Sequence, residues 1–76
     1  MEMRDKVIVI TGGSGGIGRA LARAFLAEGA SGIMLADLNA GAVDQAAREV
    51  GCSGMPCDVT NEEAVQALVD ATVAQY

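Results

Sequence analysis

A chain of 76 residues makes at most one small domain. At that size only about 60% of the unfolded surface is buried, so stability rests on a thin core. Ten acidic against five basic side chains leave a formal net charge of −5, which argues against nucleic acid and anionic membrane as partners. No apolar stretch approaches the roughly 20 residues of a membrane span, and the charged start MEMRDK runs directly into a strand without the apolar core of a secretory signal.

Val7–Ile10 is unbroken, apolar and β-branched, the composition of a strand buried on both faces of a parallel sheet. Glycines at 12, 13, 15, 16 and 18 follow it. Apolar residues then recur at helical spacing, with Ile17, Leu21, Ala24 and Phe25 as the predicted buried face and Gly29 as the stop. Ile33–Ala36 is a second short apolar strand, closed by Asp37. Asn39 is placed to cap a second helix from Ala40 to about Val50, with Val43, Ala46, Ala47 and Val50 facing inward and Gly51 ending it. A weaker third strand is expected near Ser53–Cys57, where Pro56 suits an edge better than a centre. Asp58 closes that strand. Thr60 and Glu63 have capping-box spacing for a third helix carrying Val65, Leu68, Val69, Thr72 and Val73.

The predicted order is βαβαβα in one unit, residues 1–76, with no repeat or linker. Alternation of this kind implies an α/β fold with a parallel sheet and right-handed crossovers. Three strands make half of a doubly wound nucleotide-binding sheet, with the second half absent. Cys52 and Cys57 lie too close together for a disulfide to constrain much, and the chain has neither a His nor a Cys-x-x-Cys, so no zinc site is predicted. Two reduced thiols fit a cytoplasmic setting.

The glycine loop carries the functional signal. A strand that turns sharply into a helix leaves free N–H groups and a partial positive charge at the helix start, and glycines let a pyrophosphate approach that backbone. Ser14 is read as a small loop residue whose hydroxyl and N–H face the phosphates. Asp37 follows Gly18 by about 20 residues at the end of the second strand, where an acid accepts hydrogen bonds from ribose hydroxyls. A Walker A loop is excluded because Gly18 is followed by Arg19 and Ala20 rather than Lys and Ser/Thr. A methyltransferase Gly-x-Gly-x-Gly is absent. Gly12-Gly13-Ser14-Gly15-Gly16 does match the Gly-x-Ser-x-Gly nucleophile elbow. That reading gives Asp37 and Asp58 no role and finds no His to serve as base. A plain structural turn is the remaining rival, and five glycines so close together carry an entropy cost that such a turn does not require.

Thr11-Gly12-x-x-x-Gly16-Ile17-Gly18, Asp37 after the second strand and Asp58-Val59 after the third together resemble the short-chain dehydrogenase/reductase family. The resemblance spans residues 6–76 and implies a Rossmann-type cofactor-binding portion, the N-terminal part of one NAD(P)-binding domain. It implies that Gly12, Gly16 and Gly18 shape the dinucleotide loop and that Ile17 touches the cofactor. Asp37 then binds the adenosine ribose, and Asp58 with Val59 lies at the adenine ring. Gly15 and Leu38 stand where NADP-preferring relatives often carry a basic residue, and Asp37 would repel a 2′-phosphate, so NAD is expected over NADP. The family's Tyr-x-x-x-Lys pair is missing, since Lys6 precedes the first strand and Tyr76 is the last residue. Tyr76 is expected only to anchor the third helix.

The chain is therefore expected to be an inactive N-terminal fragment of an enzyme. The full protein would move a hydride between NAD(H) and a small-molecule alcohol or carbonyl substrate, as a homo-oligomer. Two alternatives stay open. One is a stand-alone, non-catalytic nucleotide-binding module. The other is a fragment of the extended branch of the family, the nucleotide-sugar epimerases and dehydratases, whose glycine spacing Gly12, Gly15 and Gly18 also satisfy. The sequence from Asp58 to Tyr76 looks more like the shorter, single-domain branch.

Overall fold

A computed structural model of the chain describes residues 4–76, so the first three residues of the charged N-terminus lie outside the described part. The elements are β1 (Val7–Thr11), α1 (Gly16–Ala27), β2 (Gly32–Asp37), α2 (Ala40–Val50), β3 (Ser53–Pro56) and α3 (Glu62–Gln75). The three strands form a parallel sheet in the order β1-β2-β3. This is the half of a doubly wound α/β sheet that the alternation of elements predicts.

Side chains of β2 alternate between the two faces of the sheet, and both faces are covered. Ile33 and Leu35 pack with Ile10 of β1, Ala22 of α1 and Val43, Ala46 and Ala47 of α2. Met34 and Ala36 pack on the opposite face with Cys57 and with Leu68 of α3. The strand buried on both faces is therefore β2. The sequence assigns that character to Val7–Ile10, yet Val7 is 45% and Val9 40% exposed. Val9 is in register with Met34, on the α3 side of the sheet. Among the described residues β1 is an edge strand of this sheet, with no strand on its other side to bring a helix over Val7 and Val9.

The helix caps follow local chemistry. Asn39 Oδ1 accepts from the Ala42 N–H at 2.9 Å, and Gly51 ends α2 in the left-handed region with φ 84°. For α3 the predicted capping box is one residue early. Thr60 gives its N–H and hydroxyl to Asp58 at 3.0 and 2.6 Å, so Asn61 becomes the cap and accepts from Ala64 N–H at 3.1 Å.

The buried faces of α1 and α3 also differ from the predicted ones. α1 buries Gly18 and Ala22 and half-buries Phe25 and Leu26, whereas Ile17 is 81% exposed and Leu21 42%. The helix is rotated by its contact with the loop, because Gly18 lies directly against Gly12 and Gly13. α3 buries Leu68 and Thr72 and leaves Val69 and Val73 exposed.

Tyr76 does anchor α3, through a polar contact as well as its ring. The hydroxyl donates to the Ile33 carbonyl at 2.8 Å and shares a 2.8 Å hydrogen bond with the Ser53 hydroxyl, while the ring lies on Gly32. Tyr76→Phe keeps the ring and removes both bonds. It is expected to lower stability by about 1 kcal/mol, read as a lower urea midpoint at unchanged slope. No change would show that the ring alone anchors the helix.

Candidate functional site

The carboxyl ends of the three strands and the start of α1 converge at one end of the sheet. Beyond β1 the backbone reverses at Gly12, whose φ of 69° favours glycine. The Gly13 N–H then donates to the Ala36 carbonyl at 3.1 Å, tying the loop to β2. At Gly18 a Cβ would stand 2.7 Å from both the Gly12 carbonyl oxygen and the Gly13 Cα. Gly18 therefore lets α1 start hard against the loop.

Gly15 and Gly16 behave differently. Gly15 is the N-cap residue of α1 with ordinary extended dihedrals, and Gly16 is the first helical residue. A Cβ on Gly16 would meet no atom within 4 Å, and one on Gly15 only the Gly12 oxygen at 3.6 Å. Neither glycine is demanded by packing within the described residues. No side chain caps α1 and no acid lies in its first turn. Its N-terminal end thus presents backbone N–H groups and the positive end of the helix dipole, with nothing bulky in front.

Asp37, at the end of β2, reaches toward this loop. Its Oδ2 accepts from the Ser14 N–H at 3.2 Å and from the Ser14 hydroxyl, and its Oδ1 accepts from the Leu38 N–H at 2.8 Å. These bonds, the Ser14 hydroxyl first, hold its carboxyl below the usual carboxylate range. Ser14, read from sequence as facing a phosphate, instead gives both its donors to Asp37. Asp58 forms a local turn with Thr60, whose hydroxyl and then N–H likewise lower its pKa.

Thr11, Gly12, Ala36, Asp37, Leu38, Cys57 and Val59 line an open cleft of ≈ 280 Å³ across the three strand ends. Four of the predicted site residues, Gly12, Asp37, Leu38 and Val59, thus share one cleft. Ser14 joins it through Asp37, Gly15 to Gly18 lead into α1, and Asp58 lies beside it without lining it. Ala36 and Cys57 were not singled out from sequence as site residues, and Thr11 entered only as the first residue of the loop motif. Their signal was position alone, at or beside the carboxyl end of a strand, where open α/β sheets bind ligands.

A larger groove of ≈ 530 Å³ runs along α3, lined by Val59, Thr60, Glu62, Glu63, Val65, Gln66 and Val69. Its two glutamates stand in the first turn of α3 and none of its lining comes from the glycine loop, so the smaller cleft is the candidate. Tyr76 and Lys6 both lie toward the opposite end of the sheet, against Gly32 and beside Ser31. Neither is placed to act on a molecule in the cleft. Among the described residues no helix is long and apolar enough to cross a membrane.

A family model described as short chain dehydrogenase matches residues 6–76. The chain is 37% identical to (-)-isopiperitenol/(-)-carveol dehydrogenase of Mentha piperita, over 99% of this chain and 29% of that protein. Among solved structures, a short-chain dehydrogenase/reductase from Burkholderia phymatum in complex with NAD superposes with a TM-score of 0.88 at 35% identity, over 97% of this chain and 28% of the other. The NADP complex of RhlG from Pseudomonas aeruginosa gives 0.85 at 25% identity, over 99% of this chain and 32% of the other. The chain spans about 30% of the length of these relatives. On the match of that family model over residues 6–76, the chain belongs to the short-chain dehydrogenase family.

Proposed function

We propose that this chain is the N-terminal, NAD-binding part of a single dinucleotide-binding domain in a dehydrogenase. The observation that carries the reading is the pair Gly15 and Gly16. Nothing in the described chain needs their missing Cβ atoms, and both stand at the open N-terminus of α1. A pyrophosphate seated on those N–H groups supplies the need. Gly12 and Gly18 then shape the loop, and Ile17, 81% exposed, offers an apolar contact to the same ligand. Asp37 receives the adenosine ribose, while Leu38, Asp58 and Val59 border the adenine.

Asp37 and the lack of any cation at positions 15 and 38 favour NAD over NADP, because a 2′-phosphate would meet a carboxylate without a compensating charge. When bound, the nicotinamide supplies the hydride chemistry, and in the full-length protein the partner is an alcohol or carbonyl compound. The name of the Mentha relative, a carveol dehydrogenase, agrees with that class. Among the described residues no acid/base pair stands at the cleft, so the chain alone binds and does not turn over.

Calorimetric titration of the 76-residue chain with NAD, ADP-ribose and NADP tests the reading. Saturable binding of the first two, with NADP weaker, is the expected result. Binding of none of them, or steady dehydrogenation by the purified chain, would overturn it.

A further inference from the structure

We propose that Ser14 is a positioning residue that sets the preference of this site for an unphosphorylated ribose, by holding the Asp37 carboxylate across the mouth of the cleft. The proposal rests on the nucleotide-binding reading above and adds a residue and a role to it.

The argument is a count of acceptor sites. An ionised carboxylate offers about four lone-pair positions. Ser14 fills the two on Oδ2 with its N–H and its hydroxyl, and the Leu38 N–H takes one on Oδ1. One position remains, on an oxygen whose residue lines the cleft. A ribose hydroxyl can donate there without disturbing the clamp. The neighbouring hydroxyl of a 2′,3′-diol can donate to the Ser14 hydroxyl oxygen, which has lone pairs to accept it while its own proton stays on Oδ2. A 2′-phosphate has no proton to offer either oxygen at neutral pH. It meets a carboxylate that is held in place and cannot swing away, so the repulsion is not relaxed by rotation of the side chain.

The clamp also joins two elements that the sequence separates widely. Ser14 lies in the loop before α1, and Asp37 ends β2. The Gly13 N–H to Ala36 carbonyl bond lies directly beside it and keeps the loop at the distance the clamp needs. The Ser14 hydroxyl is also the foremost cause of the lowered pKa of Asp37. Removing the hydroxyl therefore loosens the carboxylate, which keeps only the backbone N–H bonds from Ser14 and Leu38.

The test compares Ser14→Ala and Ser14→Thr with the unaltered chain. The affinities for NAD and NADP are measured by titration, and the Asp37 midpoint is followed by carboxyl-carbon NMR against pH. For Ser14→Ala the NAD-to-NADP preference is expected to fall by roughly tenfold, the size of one hydrogen bond to a charged group, with the Asp37 midpoint rising toward its ordinary value and the thermal midpoint unchanged. Ser14→Thr keeps the hydroxyl and is expected to restore both the preference and the midpoint. An unchanged preference in Ser14→Ala, or equal losses for both nucleotides, overturns the proposal. If the unaltered chain binds neither nucleotide while Ser14→Ala still moves the Asp37 midpoint, the nucleotide reading is what fails, and the specificity role falls with it.

Discussion

Gly18→Ala is expected to cost about 2–3 kcal/mol of stability, while Gly16→Ala, two residues earlier in the same loop, is expected to cost none. The difference follows from what each new Cβ would meet. At Gly18 it would stand 2.7 Å from a carbonyl oxygen and an α-carbon, both main-chain atoms that no rotamer change can move. α1 would have to retreat from the loop, and overpacking of this kind typically costs 1–3 kcal/mol. A domain of this size holds only about 0.05–0.15 kcal/mol per residue in total, so that loss is a large share of its stability. At Gly16 the Cβ would enter open space at the first helical position, and Ala there gains up to about 1 kcal/mol of helix propensity over Gly. Its cost should appear only when a ligand is present, as weaker NAD binding. Urea titration of both variants, with NAD titration of Gly16→Ala, separates a glycine kept for the fold from one kept for the ligand. Equal stabilities for the two variants, or undiminished NAD binding by Gly16→Ala, would contradict the division drawn here.

That division marks how far the sequence could be read. The glycine string announced a phosphate loop, but it could not say which glycine served packing, because that depends on how closely α1 approaches the strand. The same contact explains the misplaced face of α1. Apolar spacing alone favoured Ile17 and Leu21, yet the helix phase is set by Gly18, which has no hydropathy to reveal it. β2 was legible as a strand but not as the central one, since Val7–Ile10 and Ile33–Ala36 have the same buried composition and only the sheet order tells them apart. The capping of α3 was missed for a local reason, as Thr60 was drawn into the Asp58 turn. The Ser14 clamp on Asp37 was beyond reach for the opposite reason, because it joins residues 23 apart in sequence. What the sequence showed firmly was the order of elements, the Asn39 and Gly51 caps, and the gathering of Gly12, Asp37, Leu38 and Val59 at the strand ends.

Asp37→Ala is expected to weaken NAD binding by about 10- to 100-fold, the span of a hydrogen bond to a charged group worth roughly 1.5–3 kcal/mol, and to strengthen NADP binding. The two nucleotides differ only in the 2′-phosphate, so opposite responses isolate the ribose end. Asp37→Asn separates charge from shape. It keeps an acceptor and the size of the side chain, so NAD should lose less than with Ala, whereas NADP should gain in both variants because the repelling charge is gone. Acidity supplies a second reading of the same group. The folded pKa of Asp37 is depressed, so its contribution is fully present above the ordinary carboxylate value and is lost as pH falls through the depressed one. NAD affinity of the unaltered chain should therefore stay level from neutral pH down through the usual carboxylate range and fall only in stronger acid. A parallel titration of Asp37→Asn should show no such fall from this position. If the variant lost affinity over the same acidic range, the loss would belong to another group, with Asp58, also depressed, the first to replace.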